Sequence, residues 1–259
     1  MTAPQSSLKL SGLKTACKSC SLHNLCLPLG MEIADIDRLD EIIKRRKPLQ
    51  KGEYLFHSGD DFHAIYAVRS GTIKTYIESE NGDEQITGVY LPGELLGLDA
   101  IHDEQHPCSA IALETTSLCE MPFHTLEDLS DKVPELRHQL FRIMSKELAS
   151  DQSLLMLMAQ KNAEERLATF LVNMSSRLHT RGFSATEFNL SMSRKDLGNY
   201  LGLTIETISR TFSRFQKEGL LTAQRKYIQI LKLNDLKELA GISPHCTSSA
   251  SEWEPMAQK

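Results

Sequence analysis

The spacing of apolar residues changes along the chain, and each change predicts a different element. Residues 30–45 place five apolar side chains at helical spacing and so predict a helix: Ile33, Ile36, Leu39, Ile42 and Ile43. Between Leu49 and Phe123, short runs rich in β-branched and aromatic residues alternate with glycines. This pattern predicts a small antiparallel barrel or jelly roll, with a hairpin turn at Asn81-Gly82.

A long helix is predicted to begin near Pro134, because proline suits the first turn of a helix. Within it, apolar residues alternate at spacings of three and four, the a/d pattern of a coiled coil. We call these the seam residues: Phe141, Met144, Leu148, Leu155 and Met158. One alternative is a single amphipathic helix that packs on its own domain. The regular spacing between two predicted domains favours a homodimer.

Asp151 occupies a seam position where an apolar side chain is expected. In a symmetric parallel dimer this carboxylate would face its own copy, and desolvating or protonating one of the pair costs on the order of a few kcal/mol. The sequence therefore predicts a dimer of marginal stability. The alternative is an Asp151 side chain that turns outward and has no effect.

Capping signals predict two further helices after a joint at residues 159–162. Asn162 with Glu165 resembles a capping box, and Ser193 with Asp196 another. Gly202 then ends a short helix, and a second begins after Thr204, with its apolar face predicted from Ile205, Ile208, Phe212 and Phe215. Two short strands around Arg225-Lys226 complete a winged helix-turn-helix, which binds double-stranded DNA through its second helix.

The exposed side of this second helix carries Glu206, Ser209 and Arg210. A glutamate can accept a hydrogen bond from cytosine, and an arginine can donate two to guanine. The alternative is an exposed Glu206–Arg210 ion pair on a solvated helix. Six basic residues are candidate phosphate contacts: Arg194, Lys195, Arg214, Lys217, Arg225 and Lys226.

The distribution of charge along the 259 residues also separates an N-terminal part from the predicted DNA-binding part. The formal net charge is −5, with −9 in residues 1–160, +5 in residues 161–241 and −1 in the remainder. A basic module attached to an acidic one indicates that only the second part meets a polyanion. The apolar stretches are too short to cross a membrane, and the N-terminus lacks the apolar region of a secretory signal. We therefore expect a cytoplasmic protein without a membrane partner.

Three cysteines lie close together near the N-terminus, at Cys17, Cys20 and Cys26. Three thiols cannot complete a metal site, and the candidates for a fourth ligand are His23, Cys108, Cys119 and Cys246. The spacing leaves zinc and an iron–sulfur cluster open, although a structural zinc site usually has a second close pair. A thiol-redox switch is a further alternative.

The predicted order of barrel, long helix and winged helix is also that of cyclic-nucleotide regulators. However, no arginine occurs between Arg69 and Arg137. Because a guanidinium is the usual partner of a nucleotide phosphate, we expect no tight binding of a cyclic nucleotide. Histidines and carboxylates lack the spacing of hydrolases or dehydrogenases, so we expect no enzyme. An iron–sulfur enzyme or electron carrier is the alternative from another class.

Five segments together resemble the oxygen-responsive fumarate and nitrate reduction (FNR) regulators of the Crp–Fnr family. They are CKSCSLHNLC, GDEQITGVYLPGELLGLDAI, SLCEMPF, KNAEERLA and GNYLGLTIETISR, within about residues 15–241. The resemblance implies an α+β chain with an N-terminal antiparallel β jelly-roll sensor domain of cyclic-nucleotide-binding type, a dimerisation helix and a C-terminal winged helix-turn-helix. The corresponding ranges are 1–29 (cysteine-rich segment), 30–133 (sensor domain), 134–161 (dimerisation helix), 162–241 (DNA-binding domain) and 242–259 (mobile tail).

The resemblance also assigns roles. It implies one [4Fe–4S] cluster per subunit on Cys17, Cys20, Cys26 and Cys119, which promotes homodimerisation, and Asp151 matches an acidic residue that opposes dimerisation of the cluster-free form. A global regulator of anaerobic metabolism is the implied function.

The same resemblance extends to the partners. Glu206, Ser209 and Arg210 match the family's E-x-x-S-R residues, which recognise TTGAT and its inverted repeat. Surfaces around Ser70 and Gly82 match contacts with RNA polymerase through which genes are activated or repressed. The acidic tail with Cys246 departs from the pattern, and no role follows for it.

Overall fold

Two four-stranded antiparallel sheets form the N-terminal domain in the computed structural model, which describes residues 17–79 and 81–242. The start of the predicted cysteine-rich segment and almost all of the predicted tail, including Cys246, lie outside the described residues. Helix α1 (Ile33–Ile42) precedes the sheets. The eight strands follow in chain order: β1 (Lys44–Arg45), β2 (Tyr54–Phe56), β3 (Ala64–Ser70), β4 (Ile73–Glu78), β5 (Glu84–Tyr90), β6 (Leu95–Leu96), β7 (Ser109–Ala112) and β8 (Ser117–Pro122).

The strand orders β1-β8-β3-β6 and β2-β7-β4-β5 bring non-consecutive strands together, as in a jelly roll. Phe56, Ile73 and Leu96 are among the side chains that fill the space between the sheets. Strands β4 and β5 form the predicted hairpin: the Ser79 N–H donates to the Asp83 carbonyl at 2.9 Å, and Gly82 has φ of +80°. The predicted fold class of this domain is confirmed.

Two helices continue from the last strand. They are α2 (Phe123–Lys132) and α3 (Pro134–Gln160), which has its proline in the first turn as predicted. Leu39 of α1, Leu126 of α2 and Leu136 of α3 are fully buried in one apolar cluster against the first sheet. This packing holds the first turns of α3 on the N-terminal domain and leaves its middle turns exposed.

The C-terminal module contains four helices and three strands. In chain order they are α4 (Ala163–His179), β9 (Glu187–Asn189), α5 (Arg194–Leu201), α6 (Ile205–Lys217), β10 (Leu221–Gln224), β11 (Tyr227–Ile230) and α7 (Leu233–Leu239). Helices α5 and α6 with the β10-β11 hairpin form the predicted winged helix-turn-helix. No helix within the described residues is both long and apolar enough to span a membrane.

The predicted caps of this module are confirmed. Asn162 caps α4 in a capping box with Glu165, Ser193 caps α5 in the same way with Asp196, and Thr204 accepts the N–H of Thr207. The predicted apolar face of α6 is wrong at one position. Ile205 is 44% exposed, because it is the first residue of the helix and lies outside the packed interface, whereas Thr211 is buried.

Candidate functional site

Four cysteines from two parts of the chain border one pocket. Cys17, Cys20 and Cys26 come from the turns before α1, and Cys119 comes from the middle of β8. The pocket is otherwise bordered mainly by apolar side chains: Leu22, Leu27, Leu39, Ile43, Val68 and Met121. The backbone around the cysteines is turned tightly, since the Cys20 N–H donates to the Cys17 carbonyl at 3.1 Å. The fold thus places four thiols in a mainly apolar surrounding that also includes His23 and Arg69.

The environment of these thiols opposes their ionisation. Burial raises the pKa of Cys26 to about 12, and burial followed by the nearby Asp40 carboxylate raises the pKa of Cys17. Burial also raises the pKa of Cys119, although Arg45 and Arg69 act in the opposite direction. The thiols of Cys17, Cys26 and Cys119 are therefore protonated at neutral pH, and a metal group that binds them must displace their protons.

Asp40 fixes the start of the cysteine segment, a role that sequence spacing did not reveal. Its Oδ1 accepts the N–H of Cys17 at 3.0 Å and forms an ion pair with Arg45 at 2.5 Å. Burial alone would raise the pKa of Asp40, but the hydrogen bonds from Cys17 and Arg45 lower it. The carboxylate is consequently ionised and ties the segment to α1 and β1.

The other candidate fourth ligands are distributed differently. Cys108 is 3% exposed and its Sγ donates to Asp99 at 3.3 Å, away from the side chains that border the cysteine pocket. His23 does border the pocket, with its Nδ1 at 3.1 Å from the Cys20 carbonyl. Within residues 17–79 and 81–242, no three His, Cys, Asp or Glu side chains form a group that could hold a single metal ion.

The cysteine segment packs directly on α3. The Gln139 amide donates to the Cys26 carbonyl at 3.4 Å, and Leu27 lies in the same buried cluster as Leu136. On the opposite side, Leu25 approaches Gly93, which has φ of +90° and where a Cβ atom would lie only 3.0 Å from Leu25 Cβ. A change in the conformation of the cysteine segment would therefore alter contacts with both α3 and the barrel.

The seam residues fall into two groups. Four of them form an exposed apolar strip along α3, at 63% exposure for Phe141, 37% for Met144, 64% for Leu148 and 68% for Leu155. Met158 departs from this pattern: it is half-buried and packs against the core of the C-terminal module. The last turn of α3 thus belongs to that module, and the four exposed residues remain available to a second helix.

Asp151 lies among these residues and borders a cavity of about 230 Å³ between the barrel, α3 and the C-terminal module. Partial burial and the Asp99 carboxylate raise its pKa. One turn earlier, Glu147 borders the same cavity, and burial followed by the charges of Glu94 and Asp151 raises its pKa to about 7. Acidic groups are therefore concentrated at the middle of α3.

Helix α6 exposes the three candidate base-reading residues, Glu206, Ser209 and Arg210. Three candidate phosphate contacts have partners within the protein, one of them Lys226, whose Nζ donates to the Ser191 carbonyl at 3.1 Å. The Arg194 guanidinium stacks on the Phe212 ring at 3.3 Å from its centroid, and Arg214 forms ion pairs with Glu164 and Glu218.

The C-terminal module is also bound to the barrel by polar contacts that the sequence did not predict. Glu94 forms ion pairs with Arg177 and Arg181, and these arginines together with the Leu91 N–H lower its pKa although burial would raise it. Two arginines four residues apart, one in the last turn of a mostly buried helix and one just after its end, are a signal for such an acidic partner. Ser70 and Gly82, the candidate polymerase contacts, are both exposed on the barrel.

Comparisons with known proteins agree with this architecture. Residues 165–239 match the family model of the Crp-like helix-turn-helix domain, and residues 46–132 match that of the cyclic nucleotide-binding domain. The transcriptional activator protein Anr of Pseudomonas protegens is 55% identical over 225 residues, which cover 87% of this chain and 92% of that protein. The fumarate and nitrate reduction regulatory protein of Escherichia coli is 52% identical over 234 residues, covering 90% and 94%.

A solved structure with the same arrangement is FixK2 from Bradyrhizobium japonicum. It is 29% identical, with a TM-score of 0.70, and the match covers 76% of this chain and 97% of that one. The similarity therefore extends through both the sensor barrel and the winged helix-turn-helix.

Proposed function

Since this chain belongs to the family of FNR and Anr regulators, we propose that it is a transcription regulator of anaerobic metabolism that senses oxygen through a [4Fe–4S] cluster. The observation that carries the proposal is the shared pocket of Cys17, Cys20, Cys26 and Cys119, packed on a helix with an exposed apolar strip. The same helix leads into a winged helix-turn-helix. A sensor, a dimer surface and a DNA-binding module thus follow one another in direct contact.

The chemistry of the pocket fits the proposed group. Iron–sulfur clusters are held by cysteine thiolates, and four cysteines are the usual complement of a [4Fe–4S] cluster. The neighbouring Arg45 and Arg69 oppose the negative charge that four thiolates would bring. When bound, the group supplies an iron–sulfur core that oxygen destroys, and this sensitivity is the proposed signal.

Helix α3 receives the signal through the cysteine segment. With Cys26 fixed, the Gln139 contact and the Leu27–Leu136 packing hold the first half of α3 in place. This order favours pairing of two exposed apolar strips and offsets the repulsion between two copies of Asp151. In the homodimer, two α6 helices are presented to a palindrome, with Glu206, Ser209 and Arg210 as the proposed readers of each TTGAT half-site.

Two further parts of the proposal concern ligands and partners. Ser70 and Gly82 are exposed on the barrel and are proposed contacts with RNA polymerase. The proposed signal is not a cyclic nucleotide: Lys74 is the sole basic residue between Arg69 and α2, and it is already paired with Asp196. We propose a regulator without enzymatic activity of its own.

Purification without oxygen tests the proposal. Near-equal amounts of iron and acid-labile sulfide in a brown protein, together with dimers that bind a TTGAT palindrome, are expected. Exposure to air should bleach the protein, dissociate the dimer and weaken DNA binding. A colourless protein that contains zinc would instead support the zinc alternative, and redox-dependent binding without metal would support a thiol switch.

A further inference from the structure

The joint between the dimer helix and the DNA-binding module is only two residues long. Helix α3 ends at Gln160 and α4 begins at Ala163, and both Lys161 and Asn162 between them are extended. An extended linker of this kind allows several angles between two helices unless other groups fix it. The side chain of Arg166, in the first turns of α4, spans the joint.

The Arg166 guanidinium donates hydrogen bonds to three backbone carbonyls in two different helices and the joint. Its Nη2 donates to Met158 at 2.7 Å, in the last turn of α3, and its Nε donates to Lys161 at 2.9 Å. Its Nη1 donates to Leu201 at 3.0 Å, the last residue of α5. One planar group therefore connects the end of the dimer helix to the first helix of the helix-turn-helix.

These three carbonyls are groups that need partners. No N–H group inside a helix donates to its last carbonyls. Without Arg166, the carbonyls of Met158 and Leu201 would therefore need hydrogen bonds from water. A charged donor gives stronger hydrogen bonds than a neutral one, and the flat fork of arginine holds its bonds in fixed directions. The contact lies beside Gly202, where a Cβ atom would be 3.4 Å from the same Nη1.

Two further sets of contacts attach the end of α3 to the C-terminal module. Lys161 Nζ donates to the Ala240 carbonyl at 2.7 Å and to Thr169 Oγ1 at 2.8 Å. Leu157 and Met158 pack into the core of the C-terminal module. Among these hydrogen bonds, that from Arg166 Nη1 is the one that reaches α5, whose position determines where the turn at Gly202 places α6.

We propose that Arg166 is a positioning residue for DNA recognition, which sets the angle between the dimer helix and the helix-turn-helix so that both α6 helices of a dimer match the two half-sites. This inference rests on the proposed function as a dimeric DNA-binding regulator. Arg166 itself touches no base in this assignment. It acts on the position of α6 through α5 and the turn at Gly202. Its loss should therefore change how DNA affinity depends on the distance between the two half-sites.

Arg166→Lys and Arg166→Gln test the assignment. Arg38→Lys and Arg38→Gln are matched controls, since Arg38 is exposed and pairs with Asp35 on the surface of α1. Anaerobically purified full-length proteins are compared on three DNAs: a TTGAT palindrome, the same half-sites moved apart by about two base pairs, and a single half-site. Sedimentation confirms the dimer in each case. Thermal unfolding separates a folding defect from a defect in geometry.

For the Arg166 variants we expect an affinity for the palindrome about tenfold below wild type, with the single half-site bound within about twofold. The discrimination between the two spacings should fall as well. Unchanged discrimination in both variants overturns the inference, as does an equal loss on all three DNAs that accompanies a lower melting temperature. A wild-type dimer that does not prefer the palindrome would overturn the proposed function and this inference together.

Discussion

Lys74 on β4 and Asp196 in the first turn of α5 form an ion pair, with 2.7 Å between Nζ and Oδ1, and both side chains are largely buried. The pair joins the sensor barrel to the helix-turn-helix. Asp196 also closes the capping box of α5 with Ser193. Burial would raise the pKa of this carboxyl, but hydrogen bonds from Lys74 and Ser193 lower it, so the negative charge is held in place.

Replacement of Lys74 by Met should therefore loosen the module from the barrel, because it leaves the Asp196 charge buried without its partner. We expect the free energy of unfolding to fall by about 3 kcal/mol, measured with denaturant on the cluster-free chain. The exposed Lys51 provides the control as Lys51→Met. Equal stability of the two variants would show that the pair contributes nothing.

Substitution by serine should affect iron and sulfide binding at Cys119 but not at Cys108. Cys119→Ser removes a side chain that borders the cysteine pocket and should abolish iron and sulfide binding in anaerobic preparations. Cys108→Ser should retain both, because Cys108 is bonded to Asp99 elsewhere in the barrel. The reverse result would overturn the ligand assignment.

Asp151→Ala should produce dimers in air. It removes a charge from the centre of the exposed apolar strip, and the repulsion that it relieves is on the order of a few kcal/mol. Sedimentation of the air-exposed protein measures the change, with Asp103→Ala as a control at an exposed loop position. A variant that remains monomeric would exclude Asp151 as the switch.

Arg210→Ala should relax DNA specificity at one position of the half-site. The expected cost is about 1–3 kcal/mol at a single base pair, measured by competition among substituted half-sites. Lys217→Ala, a candidate phosphate contact on the same helix, should weaken binding uniformly. Uniform weakening by Arg210→Ala as well would reassign Arg210 to the phosphate backbone.

Glu147→Gln should change how stability depends on pH. The pKa of Glu147 in the folded chain is raised to about 7 from an ordinary value near 4.5, so the folded state holds a proton that the unfolded state has lost. The contribution of this group to the free energy of unfolding is therefore highest below about pH 4.5. It falls as the pH rises towards 7, because the unfolded state releases this proton more readily than the folded state does. The variant should gain about 3 kcal/mol relative to wild type at pH 8 and little at pH 4.5, since each pKa unit between 4.5 and about 7 corresponds to about 1.4 kcal/mol.

Denaturant unfolding of the cluster-free chain at both pH values checks this expectation. Exposed Glu127 on α2 gives the control Glu127→Gln. An equal gain in the free energy of unfolding at both pH values would mean that glutamine packs better at this position. Titration of Glu147 would then contribute nothing.

Local signals in the sequence were sufficient for much of the fold. The Asn162 and Ser193 capping boxes, the turn at Gly202 and the hairpin at Asn81-Gly82 depend on residues within a few positions of one another. The apolar strip of α3 follows from helical spacing in the same way. Ile205 and Met158 are the exceptions, since the burial of a helix end depends on the neighbouring domain.

The sequence by itself determined which residue types were available: three close cysteines, an interrupted coiled-coil pattern and a helix-turn-helix with a wing. Cysteine spacing left the fourth ligand open and the family resemblance implied Cys119. The tertiary structure shows the contact itself, because the pairing of β8 with β3 places Cys119 beside the other three while Cys108 lies next to Asp99. It also decided that Arg166 bridges α3 and α5, a contact between residues 35 positions apart. Long-range pairing of this kind depends on how whole elements pack, and no local pattern encodes it.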